Sequence, residues 1–164
     1  MHYEIGAKVI HPAYGPGRII AIKEKQFNQQ VNRYYMIHMP AQRMTVMVPV
    51  QSADDLGLRP ISKPVALEEM WQVLEATSKD LNSDWKLRKN DLTEQIHTGD
   101  ILQVAEAIRD LTGRRQEQPL SQTDRELLDQ AEMFLAAELA LARDIELSEA
   151  LSLIHARMQP GEGA

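Results

Sequence analysis

Two prolines, Pro60 and Pro64, divide this sequence into parts that follow different hydrophobic periods. Before them the apolar residues come in short β-branched runs separated by turn residues. Lys8-Val-Ile-His-Pro12 leads into the Gly/Pro-rich Ala13-Tyr-Gly-Pro-Gly17 and then Arg18-Ile-Ile-Ala-Ile-Lys23. Arg33-Tyr-Tyr-Met-Ile-His38 and Met44-Thr-Val-Met-Val-Pro49 follow. Such runs and turns predict strands, and over residues 1–60 they predict one small β-barrel. Each proline disfavours helix at the residue before it, so 61–65 reads as a linker.

Beyond the linker the period becomes helical. Val65, Leu67, Met70, Trp71 and Leu74 share one face, which places Trp71 in a core. A second helix is expected to start from a cap at Asn82 or Ser83 and to run through Leu92 and Ile96 to His97. Gly99-Asp100 reads as a stop and a new start. Ile101, Val104, Ala105, Ile108 and Leu111 mark a third helix ending near Gly113. Thr123-Asp-Arg-Glu126 reads as a capping box that opens a long fourth helix, with Leu127, Leu128, Ala131, Phe134, Leu135 and Leu139 inward. A short fifth helix is expected over 145–158 and a frayed tail over 159–164. The fold class is therefore α+β with two domains, a barrel over 1–60 and about five helices over 66–158.

Composition narrows the function classes. The chain has no cysteine, which excludes a disulfide framework and thiolate metal sites. It has no apolar run of membrane-spanning length, and the N-terminus reads straight into strand without a signal pattern, so a soluble intracellular protein is expected. The net charge of −6 conceals a split. Residues 1–64 carry eight Lys/Arg against four Asp/Glu, and the remainder ten against twenty. Opposite balances suggest two modules with different partners.

Little in the chain points to catalysis. His2, His11, His38, His97 and His155 have no metal-ligand spacing. His11, before Pro12 at a strand end, reads as structural. The glycines of 13–17 lack both the G-x-G-x-x-G spacing and the following helix of a phosphate cradle, and read as a hairpin turn. Asp54-Asp55 and Glu68-Glu69 read as solvated turn or cap residues. No enzyme, cofactor or metal is expected.

One cluster stands apart: Asp84-Trp85-Lys86-Leu-Arg88-Lys89, at a predicted helix start in an acidic domain. Helical spacing puts Trp85 and Lys89 on one side with Arg88 adjacent. Three cations beside an indole suit nucleic acid, the cations neutralising phosphate and the ring stacking on or wedging against a base. The competing reading is a Trp packed against a neighbouring helix among solvated cations, and residue types alone favour it.

Taken together, these pieces resemble the CarD/CdnL family of bacterial RNA-polymerase-binding transcription regulators. The resemblance is carried by Gly6-x-Lys8-Val-Ile-His-Pro12 with Tyr14-Gly-Pro-Gly17-Arg-Ile, by Thr45-Val-Met-Val-Pro49, and by Asp84-Trp85 with its basic followers. Gly99-Asp100-Ile-x-x-Val-Ala-Glu-Ala-Ile-Arg-Asp-Leu111 and Leu120-Ser through Ala142 complete it. The first module alone also resembles the polymerase-interacting domain of the transcription-repair coupling factor, although this chain has no helicase motif.

The resemblance implies a Tudor-like (SH3-like) barrel that pairs an edge strand with the polymerase β subunit. The implied contacts are Lys25, Arg43, Thr45, Val46, Met47 and Val48. It also implies a helical domain touching the minor groove of promoter DNA at the upstream edge of the transcription bubble, through Trp85, Lys86, Arg88 and Lys89. The implied species is a cytoplasmic, nucleoid-associated monomer that stabilises the open complex. Met47 stands where some relatives carry a basic residue, and Leu87 interrupts the basic run. Two other classes stay open: a protein–protein adaptor with no DNA role, and an enzyme whose site forms only in three dimensions.

Overall fold

A computed structural model describes residues 2–158; the expected tail at 159–164 lies outside the described residues. Five strands come first: β1 (Lys8–His11), β2 (Gly15–Phe27), β3 (Gln30–Met39), β4 (Met44–Pro49) and β5 (Arg59–Pro60). Five helices follow: α1 (Pro64–Glu75), α2 (Trp85–Ile96), α3 (Ile101–Glu117), α4 (Gln122–Arg143) and α5 (Leu147–Met158). The α+β architecture, a sheet followed by helices, is the one the period switch predicts, and its Tudor-like form is the one the resemblance implies.

The sheet is antiparallel in the order β4-β3-β2-β1-β5. Tyr35, Ile37 and Met39 of β3 alternate inward, meeting Val9, Ile19 and Val48 around a core with Tyr3, Ala53 and Leu58. A register irregularity between Ile19 and Ala21 interrupts β2 and turns Ile20 outward. The turn spans residues 12–14, earlier and shorter than the expected 13–17, and Gly15 (φ +84°), Pro16 and Gly17 already belong to β2, opposite His11, Ile10 and Val9. Gly17 is needed for close approach, because a Cβ there would lie 2.5 Å from the Met39 sulfur.

Helix ends differ from the sequence reading in instructive ways. Helix α1 starts at Pro64, earlier than expected, because proline suits the first helical position. The cap of α2 is Asp84, whose carboxylate accepts from the Lys86 N–H (2.9 Å) and the Leu87 N–H (3.2 Å). Asn82 is occupied instead in accepting from the Asp84 N–H (2.9 Å). Helix α3 runs through Gly113 to Glu117, since Ser78 packs where a Cβ on residue 113 would stand. The cap of α4 is Ser121, accepting from the Asp124 N–H at 3.1 Å, so Thr123 and Glu126 are both inside the helix. Asp144, in the left-handed conformation (φ 53°), ends α4.

The helices enclose a second core, built from Met70, Leu74, Leu92, Ile96, Ile108, Leu111, Leu135 and Leu139 among others. Trp71 belongs to it, with the Arg157 guanidinium 4.9 Å from its ring centroid on the outer side. No residue is shared by the barrel core and the helical core. The domains meet where α4 runs across β2.

Candidate nucleic-acid interface and docking edge

The expected nucleic-acid cluster forms the first turn of α2. Trp85 is the first helical residue and is 57% exposed. It lies on the same helical stripe as Arg88, Leu92 and Ile96, all buried. Side chains in a helix tilt towards its N-terminus, so an indole at the first position overhangs the packed region. The Lys86 ammonium sits 5.6 Å from its ring centroid. Lys89 is exposed as well. The reading of Trp85 as a packed core residue does not hold.

Arg88 is a correction. It is 4% exposed and cannot reach a phosphate from where it stands. Its Nε donates to Asp124 Oδ1 at 3.0 Å, and Nη1 donates to the carbonyls of Asn82 (2.9 Å) and Ser83 (3.3 Å). The physical reason is periodicity: Arg88, Leu92 and Ile96 are four apart on one inward stripe. Asp124 also lies 3.6 Å from Arg114 Nε, so one buried carboxylate is flanked by two guanidinium groups. The pair sets the first turn of α4, with its exposed Arg125, alongside α2.

The segment leading to Trp85 is braced at several points. The Lys79 N–H donates to Asp110 Oδ1 at 2.8 Å, and the Arg109 Nε donates to the same oxygen at 2.8 Å. Ser78 is seated on Gly113, and Arg88 holds the carbonyls of residues 82 and 83. Trp85 is thus presented on a platform whose loop carbonyls and amides are held from below, which is what a preorganised contact requires. Asp110, Gly113 and Asp124 escaped the sequence reading as parts of the site, and Arg88 reads there as a DNA contact rather than as support for Trp85. Their signal was polar or small residues on otherwise apolar helical stripes.

The barrel offers an edge strand. Among the described residues β4 pairs only with β3, which leaves one side of its backbone without a strand partner. Met44, Thr45 and Met47 are exposed and Val46 is half-buried. Val48 is a second correction: its side chain is 1% exposed in the barrel core, so only its backbone is available to a partner. Lys25 and Arg43 are both exposed, but the structure does not bring them together. Lys25 pairs across from Asn32, beyond the end of β4, whereas Arg43 sits in the β3–β4 turn beside Met39↔Met44. That separation is about 23 Å of strand at about 3.3 Å per residue. The β2–β3 hairpin therefore projects past β4 and carries exposed Phe27 and Val31 at its tip.

His11 is structural, its Nδ1 accepting from the Ala13 N–H at 3.0 Å, and burial lowers its pKa. Among the described residues no group of three His, Asp or Glu could hold a metal, and no helix is long and apolar enough to cross a membrane.

Comparison with known proteins agrees with this layout. Residues 3–62 match the CarD-like/TRCF RID domain family and residues 69–155 match the CarD C-terminal domain family. A relative from Bacillus subtilis (strain 168), named "Putative transcription factor YdeB", is 34% identical over 143 residues, 87% of this chain and 94% of the relative. An antiparallel module of the RID type followed by helices of the CarD C-terminal type is the layout of a transcription regulator that interacts with RNA polymerase. The chain belongs to the CarD family of transcription regulators that interact with RNA polymerase.

Proposed function

We propose that the barrel docks on the polymerase β subunit by strand addition to β4 and that the helical domain sets Trp85 against the upstream edge of the promoter bubble. The observation that carries this reading is the half-exposed Trp85 on a capped and braced helix start, with Lys86 and Lys89 beside it. A flat apolar ring overhanging a helix end can enter the minor groove where base pairs are already unstacked, and neighbouring ammonium groups can neutralise the flanking phosphates. With Arg88 buried, the available cations are Lys86, Lys89 and Arg125.

Such a wedge acts by differential affinity. It binds the melted junction better than closed duplex and so shifts the equilibrium towards the open complex, by no more than that difference. The acidic balance of residues 65–164 keeps affinity for free DNA low. Docking of the basic barrel then supplies the local concentration that the wedge needs. In this reading the protein acts as a cytoplasmic monomer on promoter-bound polymerase.

The test is a photo-crosslinking residue, Trp85→p-benzoylphenylalanine, in promoter complexes. The proposal expects a crosslink to DNA at the upstream bubble edge that requires polymerase. A crosslink to protein alone would favour the adaptor reading.

A further inference from the structure

The two hydrophobic cores share no residue, so a common core does not fix the angle between barrel and helical domain. Glu138, in the middle of α4, is 4% exposed among Leu and Ala residues. Its Oε2 accepts from the backbone N–H of Ser62, in the linker, at 2.8 Å. A buried carboxylate persists only where its hydrogen bonds and charge partners offset its lost hydration. The charge partner is Arg59 of β5, whose guanidinium lies where a Cβ on Gly99 would stand, between α2 and α3.

The surroundings of this contact are keyed to one fit. Gly15, with φ +84°, presents a bare backbone to the Phe134 ring, and a Cβ there would lie 2.9 Å from it. The cavity between the domains, lined by Ile10, Pro16, Val104 and Glu138 among others, has a volume of about 20 Å³. That is room for about one water. At the rim Asp144 meets Lys8 (3.3 Å) and Arg18 (3.1 Å) of the barrel.

We propose that Glu138 is a positioning residue that locks the linker, through Ser62, to α4, so that barrel and helical domain move as one body and a docked barrel delivers Trp85 to a single place. The proposal rests on the function proposed above: a wedge at the end of a loose joint would lose effective concentration at the bubble. Glu138 touches neither DNA nor polymerase in this account.

The chain contains no cysteine, so paired spin labels can be placed cleanly at Lys23→Cys on β2 and Asn90→Cys on α2, both exposed. In the full chain, pulsed electron resonance should give one narrow distance distribution. Glu138→Ala should broaden it, while Glu138→Gln, which keeps an oxygen acceptor for Ser62, should leave it narrow. Ser62→Pro removes the donor from outside both cores and should broaden it too, which covers the case that Glu138→Ala fails to fold. On promoter complexes, Glu138→Ala should shorten open-complex lifetime by about three- to tenfold, less than Trp85→Ala does. A narrow distribution in both Glu138→Ala and Ser62→Pro overturns the proposal. So does a broadened distribution with unchanged lifetime where Trp85→Ala shortens it. If Trp85→Ala also leaves lifetime unchanged, the wedge reading itself fails, and the distances still judge the joint.

Discussion

Arg88 and Asp124 form a buried ion pair, Nε to Oδ1 at 3.0 Å, that fastens the first turn of α2 to the first turn of α4. The same guanidinium holds the carbonyls of Asn82 and Ser83 just before Trp85. A residue that reads as a phosphate contact is thus part of the support beneath Trp85.

Removing one partner leaves the other charged and buried. Asp124→Ala strands Arg88 and exposes Arg114 to an unbalanced neighbour, and should cost about 3–5 kcal/mol in chemical denaturation. The double variant Arg88→Met with Asp124→Leu removes both charges and should cost less than the single one. A double variant as unstable as the sum of its singles would show that the pair is not coupled.

The two tryptophans make opposite forecasts. Trp71 is packed in the helical core, so Trp71→Ala should cost about 3–5 kcal/mol, lowering Tm by more than about 6 °C in a chain of this size. Trp85 overhangs its helix, so Trp85→Ala should shift Tm by no more than about 3 °C. Scanning calorimetry on the two variants checks this, and similar losses in both would put Trp85 back in the core.

Glu138 should impose a pH dependence. Burial, the largest influence, raises its pKa, and the charge of Asp100 adds to the rise; hydrogen bonds from Ser62 and the charge of Arg59 oppose it. The folded-state value lies above the unfolded one, so the folded protein binds more proton between the two. The stability this group contributes is full below the ordinary carboxylate pKa and is lost as pH rises through the raised value. Glu138→Gln has no such loss. The Tm of Glu138→Gln minus that of wild type should therefore grow from acidic to neutral pH, and a constant gap would contradict the account.

Lys25, near the tip of the β2–β3 hairpin, and Arg43, in the β3–β4 turn, lie far apart, so their effects on polymerase binding should be independent. Lys25→Glu and Arg43→Glu should each weaken binding of the full chain, and should add in the double variant within about 0.5 kcal/mol. The salt dependence should fall with each reversal. Unchanged affinity in the double variant would leave backbone pairing along β4 as the dominant contact.

How much of this was legible in the sequence depends on the range of the interactions. The switch from alternating to helical periods at Pro60–Pro64 and the strand of β4 are local patterns, and both were readable. The exposure of Trp85 was not, since residue types favoured a packed ring and only the family resemblance pointed outward. Gly113 looked like a helix stop because nothing nearby shows that Ser78 comes to lie on it. Arg88 looked solvated because its partner, Asp124, is on another helix; only its spacing with Leu92 and Ile96 hinted otherwise. Thr123 with Glu126 satisfied a capping pattern, but Ser121 stood earlier and took the role. The seat of Phe134 on Gly15 and the tie from Glu138 to Ser62 join distant parts of the chain, and no local pattern encodes them.

The central claim is that Trp85 holds the promoter open. The direct measurement is the lifetime of the open complex on a competitor-challenged promoter, with wild-type protein, with Trp85→Ala and with no factor, at saturating factor. Loss of one stacking aromatic is worth about 1–3 kcal/mol, or about a five- to hundredfold change in an equilibrium constant. The account predicts a long lifetime with wild type and one approaching the factor-free value with Trp85→Ala, while the variant still binds polymerase and keeps its Tm. An open complex equally long-lived with Trp85→Ala would contradict it.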